Sequence, residues 1–413
     1  MLRMLTAGES HGQAVVVIVD GLPSGLRLEP ADLDRDLARR QLGYGRGGRM
    51  SIERDRAEVI AGVRFGVTLG SPVAVMVPNR DRANWSEAMS VWGEPPSGYA
   101  PVTCPRPGHA DLAGALKYGH GDLRAVLERA SARETAGRVV AGALAKAVLR
   151  EAGACVGSQV LGIGDAAAED ARWPARGDRD ACDAHGDARG DARHDSAAAG
   201  ASWAAWQAAV DASPVRCGCP VGSEAMTGAI DRAAAGGYSL GGLFEVRAGG
   251  LPPGLGSYAQ WDRRLDTRLA AALMSIQGIK GVEIGAGFAL AGLTGDRAHD
   301  EIEHDGRRFR RPTNRAGGLE GGVTNGEPLI VRCAMKPIAT QARPLCSVDL
   351  VTKQPTLAHR ERADVCAVPA AAVVAEAVVA FTLADALLEK CGGDSAAEMR
   401  RNLDGYLAEV RAR

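Results

Sequence analysis

Arg106-Pro-Gly-His-Ala-Asp111, Lys117-Tyr-Gly-His-Gly-Asp122 and Arg129-Ala-Ser-Ala-Arg-Glu-Thr135 follow one another closely in the chain. Between them they supply Arg106, Lys117, Arg124, Arg129 and Arg133, with His109 and His120 among glycines that bend the path. Arginine forks match phosphate and carboxylate oxygens two at a time. Histidine is the side chain whose ordinary pKa lies nearest neutrality. A solvated helix face would explain Arg124 and Arg129 alone, but such a face has no need of the glycines. Ser131-Ala-Arg-Glu134 fits a capping box, and the apolar run from Val139 predicts a helix reaching about Gly153. Its N-terminal N–H groups would add to an anion site beside Arg129 and Arg133.

On the N-terminal side, Thr6-Ala-Gly-Glu-Ser-His-Gly12 is turn-like and leads into a strand, Ala14 to Val19. His11 lies in that turn, within reach of a ligand. Pro30 to Gln41 is helical: proline opens it, Leu33 and Leu37 share a face, and acids precede arginines as the dipole favours. The following Gly43-Tyr-Gly-Arg-Gly-Gly-Arg-Met50 contains G-x-G-x-x-G, yet a helix precedes it, so it is no dinucleotide fingerprint. It reads instead as a bent loop bringing Arg40, Arg46 and Arg49 to one anion. Pro72 to Val77 is a strand, and 79–101 is long and irregular, with Trp85 and Trp92.

On the C-terminal side, residues 165–209 turn to Ala, Asp, Gly, Arg and His and read as a flexible surface insertion. Its Cys182, His185 and His194 make no convincing metal set, and no metal is expected. Ser239 to Val246 and Leu329 to Met335 are strands, and Asp262 to Gln277 is an amphipathic helix. Arg362 and Asp364 stand just before the apolar stretch Ala370 to Leu388, which Glu376 and Asp385 mark as a buried helix, not a membrane span.

Composition bounds the rest. The 413 residues are 46% hydrophobic with only 4% aromatics, so Ala, Val and Leu must fill the core. A net charge of −1 gives no case for nucleic acid or membrane binding and confines any anion site to local arginine clusters. RNA binding through the Gly-Arg loop is disfavoured on the same ground. Nine cysteines, an odd number without framework spacing, predict reduced thiols and a cytoplasmic location.

Taken together, Gly8-Glu-Ser-His-Gly12, Arg39-Arg-Gln-Leu-Gly-Tyr-Gly-Arg-Gly-Gly-Arg-Met50, Arg106 to Asp111 and Arg129 to Thr135 resemble the chorismate synthase family. Leu251-Pro-Pro-Gly-Leu-Gly256, Lys280-Gly-Val-Glu-Ile-Gly285, Lys336-Pro-Ile338 and Arg362-Ala-Asp-Val-Cys-Ala-Val-Pro369 extend the resemblance over nearly the whole chain. Residue patterns alone give only a mixed α and β protein. The resemblance implies an α+β fold: one domain over 1–413, a β-α-β sandwich with helices packed between antiparallel sheets, assembled as a homotetramer.

The implied reaction is anti-1,4-elimination of phosphate from 5-enolpyruvylshikimate-3-phosphate to chorismate, the last common step of the shikimate pathway. It needs reduced FMN with no net redox change; NADPH enters only if the protein reduces its own flavin. By similarity, His11 would protonate the departing phosphate and His109 would stabilise the anionic reduced flavin. Asp364 would help the flavin N5 lose the proton taken from the substrate. Substrate binding falls to Arg40, Arg46, Arg49, Arg106 and Arg133. FMN contacts fall to Arg129, Ala130, Ser131, Gln277, Gly278, Gly321, Lys336, Pro337, Ile338, Ala339, Thr340 and Arg362. Gly278 stands where the family usually has alanine, and Ala339 where it usually has a hydroxyl. A non-catalytic flavin- or phosphate-binding protein is the alternative.

Overall fold

The computed structural model describes residues 2–47, 54–168, 196–306, 308–361 and 364–413, the side chains of 196–201 excepted. Arg49 and Arg362 lie outside the described residues.

Two antiparallel sheets face each other across helices. The first sheet holds β1 (Arg3–Ala7), β2 (Ala14–Asp20), β3 (Glu58–Ala61) and β4 (Val73–Pro78), in the order β1-β2-β4-β3. The valine runs dictate it. In β2 and β4, Val17, Val19, Val73, Val75 and Val77 alternate inward and are fully buried, as the two-residue period of a strand requires. The second sheet holds β5 (Cys155–Ile163), β6 (Ala166–Ala167), β7 (Gly242–Gly249), β8 (Ile279–Ile284) and β9 (Leu329–Met335), in the order β8-β9-β7-β5-β6.

The helices are α1 (Pro30–Gln41), α2 (Asp111–Tyr118), α3 (Arg124–Ala130), α4 (Thr135–Glu151), α5 (Ser196–Ala212), α6 (Pro220–Gly236), α7 (Leu265–Met274), the single turn α8 (Gly295–Ala298), α9 (Val368–Cys391) and α10 (Ala396–Ala412). Helix α4 packs on the first sheet and on α9, and α9 packs on the second sheet. The apolar helix is therefore apolar on every side because protein covers every side: Val373, Val379, Leu383 and Leu387 are buried. At the crossing of α4 and α9, a Cβ on Gly142 would fall 2.3 Å from Ala377 Cβ, so glycine sets how closely the two helices approach.

Two expectations need correction. The 165–209 segment is not loop at its ends, since it contains β6 and most of α5. Trp203 and Trp206 press α5 onto β5 at Gly157, where a Cβ would meet both indoles. The capping box at 131–134 does not form either. Ser131 does accept a bond from Arg133 N (3.3 Å), but Glu134 turns away to accept from Thr6 Oγ1 (2.9 Å) and Arg138 Nε (3.0 Å). A 3-10 turn, Ala132–Glu134, precedes α4 instead.

Candidate active site

His11 sits in the turn between β1 and β2. Gly8 makes that turn possible: its φ is +113°, and a Cβ there would lie 2.2 Å from Ala14 O. Two side chains hold the turn. Asn79, at the end of β4, donates through Nδ2 to Glu9 O (2.9 Å) and Gly12 O (3.0 Å). Glu128 of α3 accepts from His11 N at Oε2 (2.7 Å) and pairs with His11 Nδ1 through Oε1 (2.8 Å). A carboxylate only accepts, so Nδ1 carries its proton toward Glu128, and Nε2 is the nitrogen that gains or loses one. His11 is buried, and so is Glu128.

The arginines gather on the other side of Asn79. Arg133 donates to Asn79 Oδ1 (2.7 Å), Asp55 Oδ1 (2.5 Å) and Pro78 O (3.2 Å). Arg40 donates to Thr135 Oγ1 (2.9 Å) and Ala132 O (2.8 Å), with Asp55 Oδ2 3.5 Å away. Arg46 pairs with Asp364 at 3.0 Å, and Gly47 N donates to the same carboxylate (2.7 Å). Among the described residues these three guanidiniums thus share two carboxylates, Asp55 and Asp364. Burial pulls Arg40 down to about 10, and the charges of Arg133 and Arg46 add to this against the pull of Asp55. A buried guanidinium with two others beside it gains from an anion that enters among them.

A continuous ribbon of contacts runs beside these groups. Arg129 reaches Thr6 O (2.9 Å) and Gly8 O (3.1 Å). Thr6 joins Glu134, which accepts from Gln277 Nε2 (3.3 Å). Gly278, at φ +86°, accepts from Lys336 N (2.9 Å), and the Lys336 ammonium donates to Gly108 O. His109 Nδ1 and Arg106 Nε converge on fully buried Asp111 (2.5 and 2.9 Å), and Arg106 Nη1 donates to Thr340 Oγ1 (2.7 Å). Burial alone would raise the Asp111 pKa, but the bonds from His109 and Arg106 outweigh it and hold the carboxyl well below its usual range. Ser131 Oγ meets Ser10 Oγ (3.1 Å), and Ile338 O accepts from Ser239 Oγ (2.6 Å). A cleft of about 400 Å³ opens among Tyr238, Ser239, Thr340, Gln341, Glu361 and Asp364.

His11, Arg40, Arg46, Arg133 and Asp364 therefore converge, and His109 and Arg106 join them through Thr340. Gly321 lies apart, in the turn between the short strands Leu319–Glu320 and Val323–Thr324. Arg106 and Arg133 have much of their hydrogen-bonding capacity engaged within the protein. Glu128, Asp55, Asn79 and Glu361 were not singled out from the sequence. Asp111 carried a signal, its place in the Arg106 motif. A glutamate on a short helix, like Glu128, reads as solvated until His11 is seen beside it.

The chain matches the family model described as "Chorismate synthase" over residues 2–388. A protein of Desulforudis audaxviator named "Chorismate synthase" is 54% identical over 413 residues, covering 100% of this chain and 99% of that protein. One of Trichlorobacter lovleyi with the same name is 53% identical, covering 99% and 100%. A solved structure titled "Crystal Structure of Chorismate Synthase" superposes with a TM-score of 0.76 at 39% identity, covering 100% of this chain and 99% of that one.

Proposed function

The chain belongs to the chorismate synthase family, and from that premise we propose how its own residues divide the work. The reaction is the anti-1,4-elimination of phosphate from 5-enolpyruvylshikimate-3-phosphate to give chorismate, a carbon–oxygen lyase step of the shikimate pathway. No finding favours a non-catalytic flavin- or phosphate-binding protein.

The observation that carries the assignment is an imidazole oriented by Glu128, one asparagine away from three arginines that share two carboxylates. The substrate brings one phosphate and two carboxylates. Arg40, Arg46 and Arg133, with Arg49 and Arg106, bind them; Arg106 and Arg133 contribute chiefly charge. His11 is the acid. Its Nδ1–H stays on Glu128 while Nε2 gives its proton to the departing phosphate, and the Glu128 carboxylate stabilises the protonated ring. Asp364 lies at the cleft wall beside Arg46 and holds the proton that the substrate ring loses. His109, fixed by Asp111, would stabilise the anionic reduced flavin.

The ribbon from Arg129 to Thr340 fits reduced FMN. Gln277 Oε1 is buried and accepts no hydrogen bond from the described residues, so it calls for a donor such as a flavin N–H or a ribityl hydroxyl. Arg129 and Lys336 supply positive charge for the FMN phosphate. Ala130, Ser131, Gly278, Pro337, Ile338, Ala339 and Thr340 complete the set along the ribbon; Gly321, which lies apart from it, and Arg362 are included on the family resemblance alone. When bound there, reduced FMN would supply electron density for C–O bond cleavage with no net redox change.

The test is anaerobic: protein, chemically reduced FMN and 5-enolpyruvylshikimate-3-phosphate, followed for chorismate and phosphate. Equal amounts of both, absent with oxidised FMN, are expected; binding without turnover would sink the assignment. Adding NADPH with oxidised FMN then reads whether the protein reduces its own flavin.

The proposal includes a homotetramer. On the outward face of the first sheet Leu5 is 70% exposed, and Ile18, its partner across β1 and β2, is exposed beside it, an apolar face suited to a second copy. Ile18→Asp should lower the mass by light scattering; an unchanged mass would remove this face from the interface. A single domain is supported by one hydrophobic core that runs from Leu2 to Leu403. A cytoplasmic location is supported by the free thiols of all eight described cysteines.

A further inference from the structure

Beyond Asn79 the irregular segment 79–101 plays no part in the assignment so far, yet one of its side chains touches the proposed acid. After the 3-10 turn Arg80–Asn84, Trp85 N donates to Arg82 O (2.9 Å), and Trp85 O accepts from Met89 N (2.8 Å). Downstream the segment is open to solvent, with Trp92 86% exposed. Trp85 behaves differently. It is half-buried, and its indole stacks on the His11 imidazole with ring centroids 4.2 Å apart and planes 30° apart. The Arg124 guanidinium lies 4.9 Å from the Trp85 ring centroid, and Arg124 is itself held by Glu361 (2.6 Å) and Glu128 (3.4 Å).

These contacts constrain His11 in complementary ways. Glu128 holds the ring at Nδ1 through a single hydrogen bond, so the ring can still turn by small angles about Cβ–Cγ within the tolerance of that bond. A flat surface against one ring face removes that rotation and so sets where Nε2 points. The indole face also favours the protonated ring, since a cation is attracted to the negative face of an aromatic system. It covers one side of the imidazole from water as well.

We infer that Trp85 is a positioning residue for proton transfer, fixing the His11 ring plane so that Nε2 meets the departing phosphate. The inference rests on the assignment of His11 as the acid, and it makes 79–101 part of the active site. Its base is anchored where it matters, because Asn79 at the start of the segment holds the backbone of the His11 turn.

The experiment compares His11→Asn, Trp85→Phe, Trp85→Leu and Trp85→Ala in the full-length protein with chemically reduced FMN, measuring kcat and KM for 5-enolpyruvylshikimate-3-phosphate and the solvent deuterium isotope effect on kcat. Trp85→Leu fills much of the space without a π face, so a space-filling role would be rescued by it as well as by Trp85→Phe. Expected are a kcat down about tenfold in Trp85→Leu and Trp85→Ala, KM within about twofold, and most activity kept in Trp85→Phe. The isotope effect should rise in the two slow variants, as proton transfer becomes limiting. Equal kcat in Trp85→Phe and Trp85→Leu, or a change confined to KM, would overturn the inference while leaving His11 intact. Full activity in His11→Asn would overturn the acid assignment and the inference with it.

Discussion

Replacing Glu128 by glutamine tests the acid assignment at its support while leaving His11 in place. The carboxylate meets two N–H donors from one residue: Oε2 accepts from His11 N at 2.7 Å, and Oε1 pairs with His11 Nδ1 at 2.8 Å. An amide has one acceptor end and one donor end. If its oxygen takes the ring proton, its NH2 faces the His11 backbone N–H; if it is flipped, the NH2 faces Nδ1 and opposes a proton there. In the first case a buried donor loses its partner, at about 1–3 kcal/mol; in the second the ring takes the other neutral tautomer, and a cost of the same order falls on protonating it. The flipped orientation acts directly on catalysis, because a doubly protonated ring must carry a proton on Nδ1. At 1.36 kcal/mol per tenfold, that range corresponds to a kcat lowered about 5- to 150-fold. Single-turnover phosphate release under anaerobic conditions reads it, with a thermal melt as a check on folding. A rate within about twofold of the parent, with the melt unchanged, would mean that Glu128 does not support the acid.

Three further outcomes follow from the same geometry. Asp111→Asn leaves Arg106 buried without its carboxylate, so urea unfolding should register a loss of about 3–5 kcal/mol; a loss below about 1 kcal/mol would show that Thr340 suffices to hold Arg106. Gly142→Ala gains about 1 kcal/mol in helix propensity. Its Cβ, however, would stand 2.4 Å from Ala377 Cα, so α4 and α9 must part and the net change in urea unfolding should be destabilising; a net gain would refute the close-crossing argument. Burial alone would raise the Glu361 pKa, but a hydrogen bond from His359 and the charge of Arg124 bring it from about 4.5 down to about 2. A carboxylate depressed on folding stabilises the protein above its ordinary pKa and loses that contribution as pH falls through the lower value. The urea midpoint should therefore fall between pH 4.5 and 2, and less steeply in Glu361→Gln; parallel curves would remove Glu361 from the account.

Much of the framework was legible because it depends on period. Short apolar runs rich in valine gave β2 and β4, and Pro30 to Gln41 emerged as α1 with the bounds read from its proline and last arginines. The sandwich arrangement came only through family resemblance, since nothing local states which sheet a helix will face. Helix α5 was missed because its alanines resemble those of the low-complexity run before it, and the tryptophans that seat it matter only once Gly157 opposes them. The site was legible as an inventory but not as a set of pairings. A guanidinium can meet a ligand or a carboxylate, and the sequence does not distinguish Arg46, at the cleft beside Asp364, from Arg133, which is engaged with Asp55, Asn79 and Pro78.

Arg39 and Arg40 carry that distinction furthest. They are neighbours on α1, about 100° apart around the helix axis, and they enter opposite electrostatic surroundings. Arg39 makes a bidentate pair with Glu376 of α9 (2.6 and 2.9 Å) and also meets Asp36 (3.0 Å) and Asp211 of α5 (3.1 Å). Lys146 joins Asp36 and Glu376 at 2.5 Å each, and Arg216 joins Asp211. This cluster holds as many carboxylates as cations. Burial alone would lower the Arg39 pKa, but Glu376, Asp36 and Asp211 together push it above its ordinary value. Arg40, buried beside Arg46 and Arg133, is lowered instead, chiefly by burial. Helix α1 therefore separates a buried ion-pair cluster from a cleft where three guanidiniums stand together, and an incoming anion gains on the cleft side. Buried ion pairs are weak evidence for stability as such. Here the pairing of Arg39 fixes the rotation of α1 about its axis, and that rotation is what turns Arg40 toward the substrate arginines.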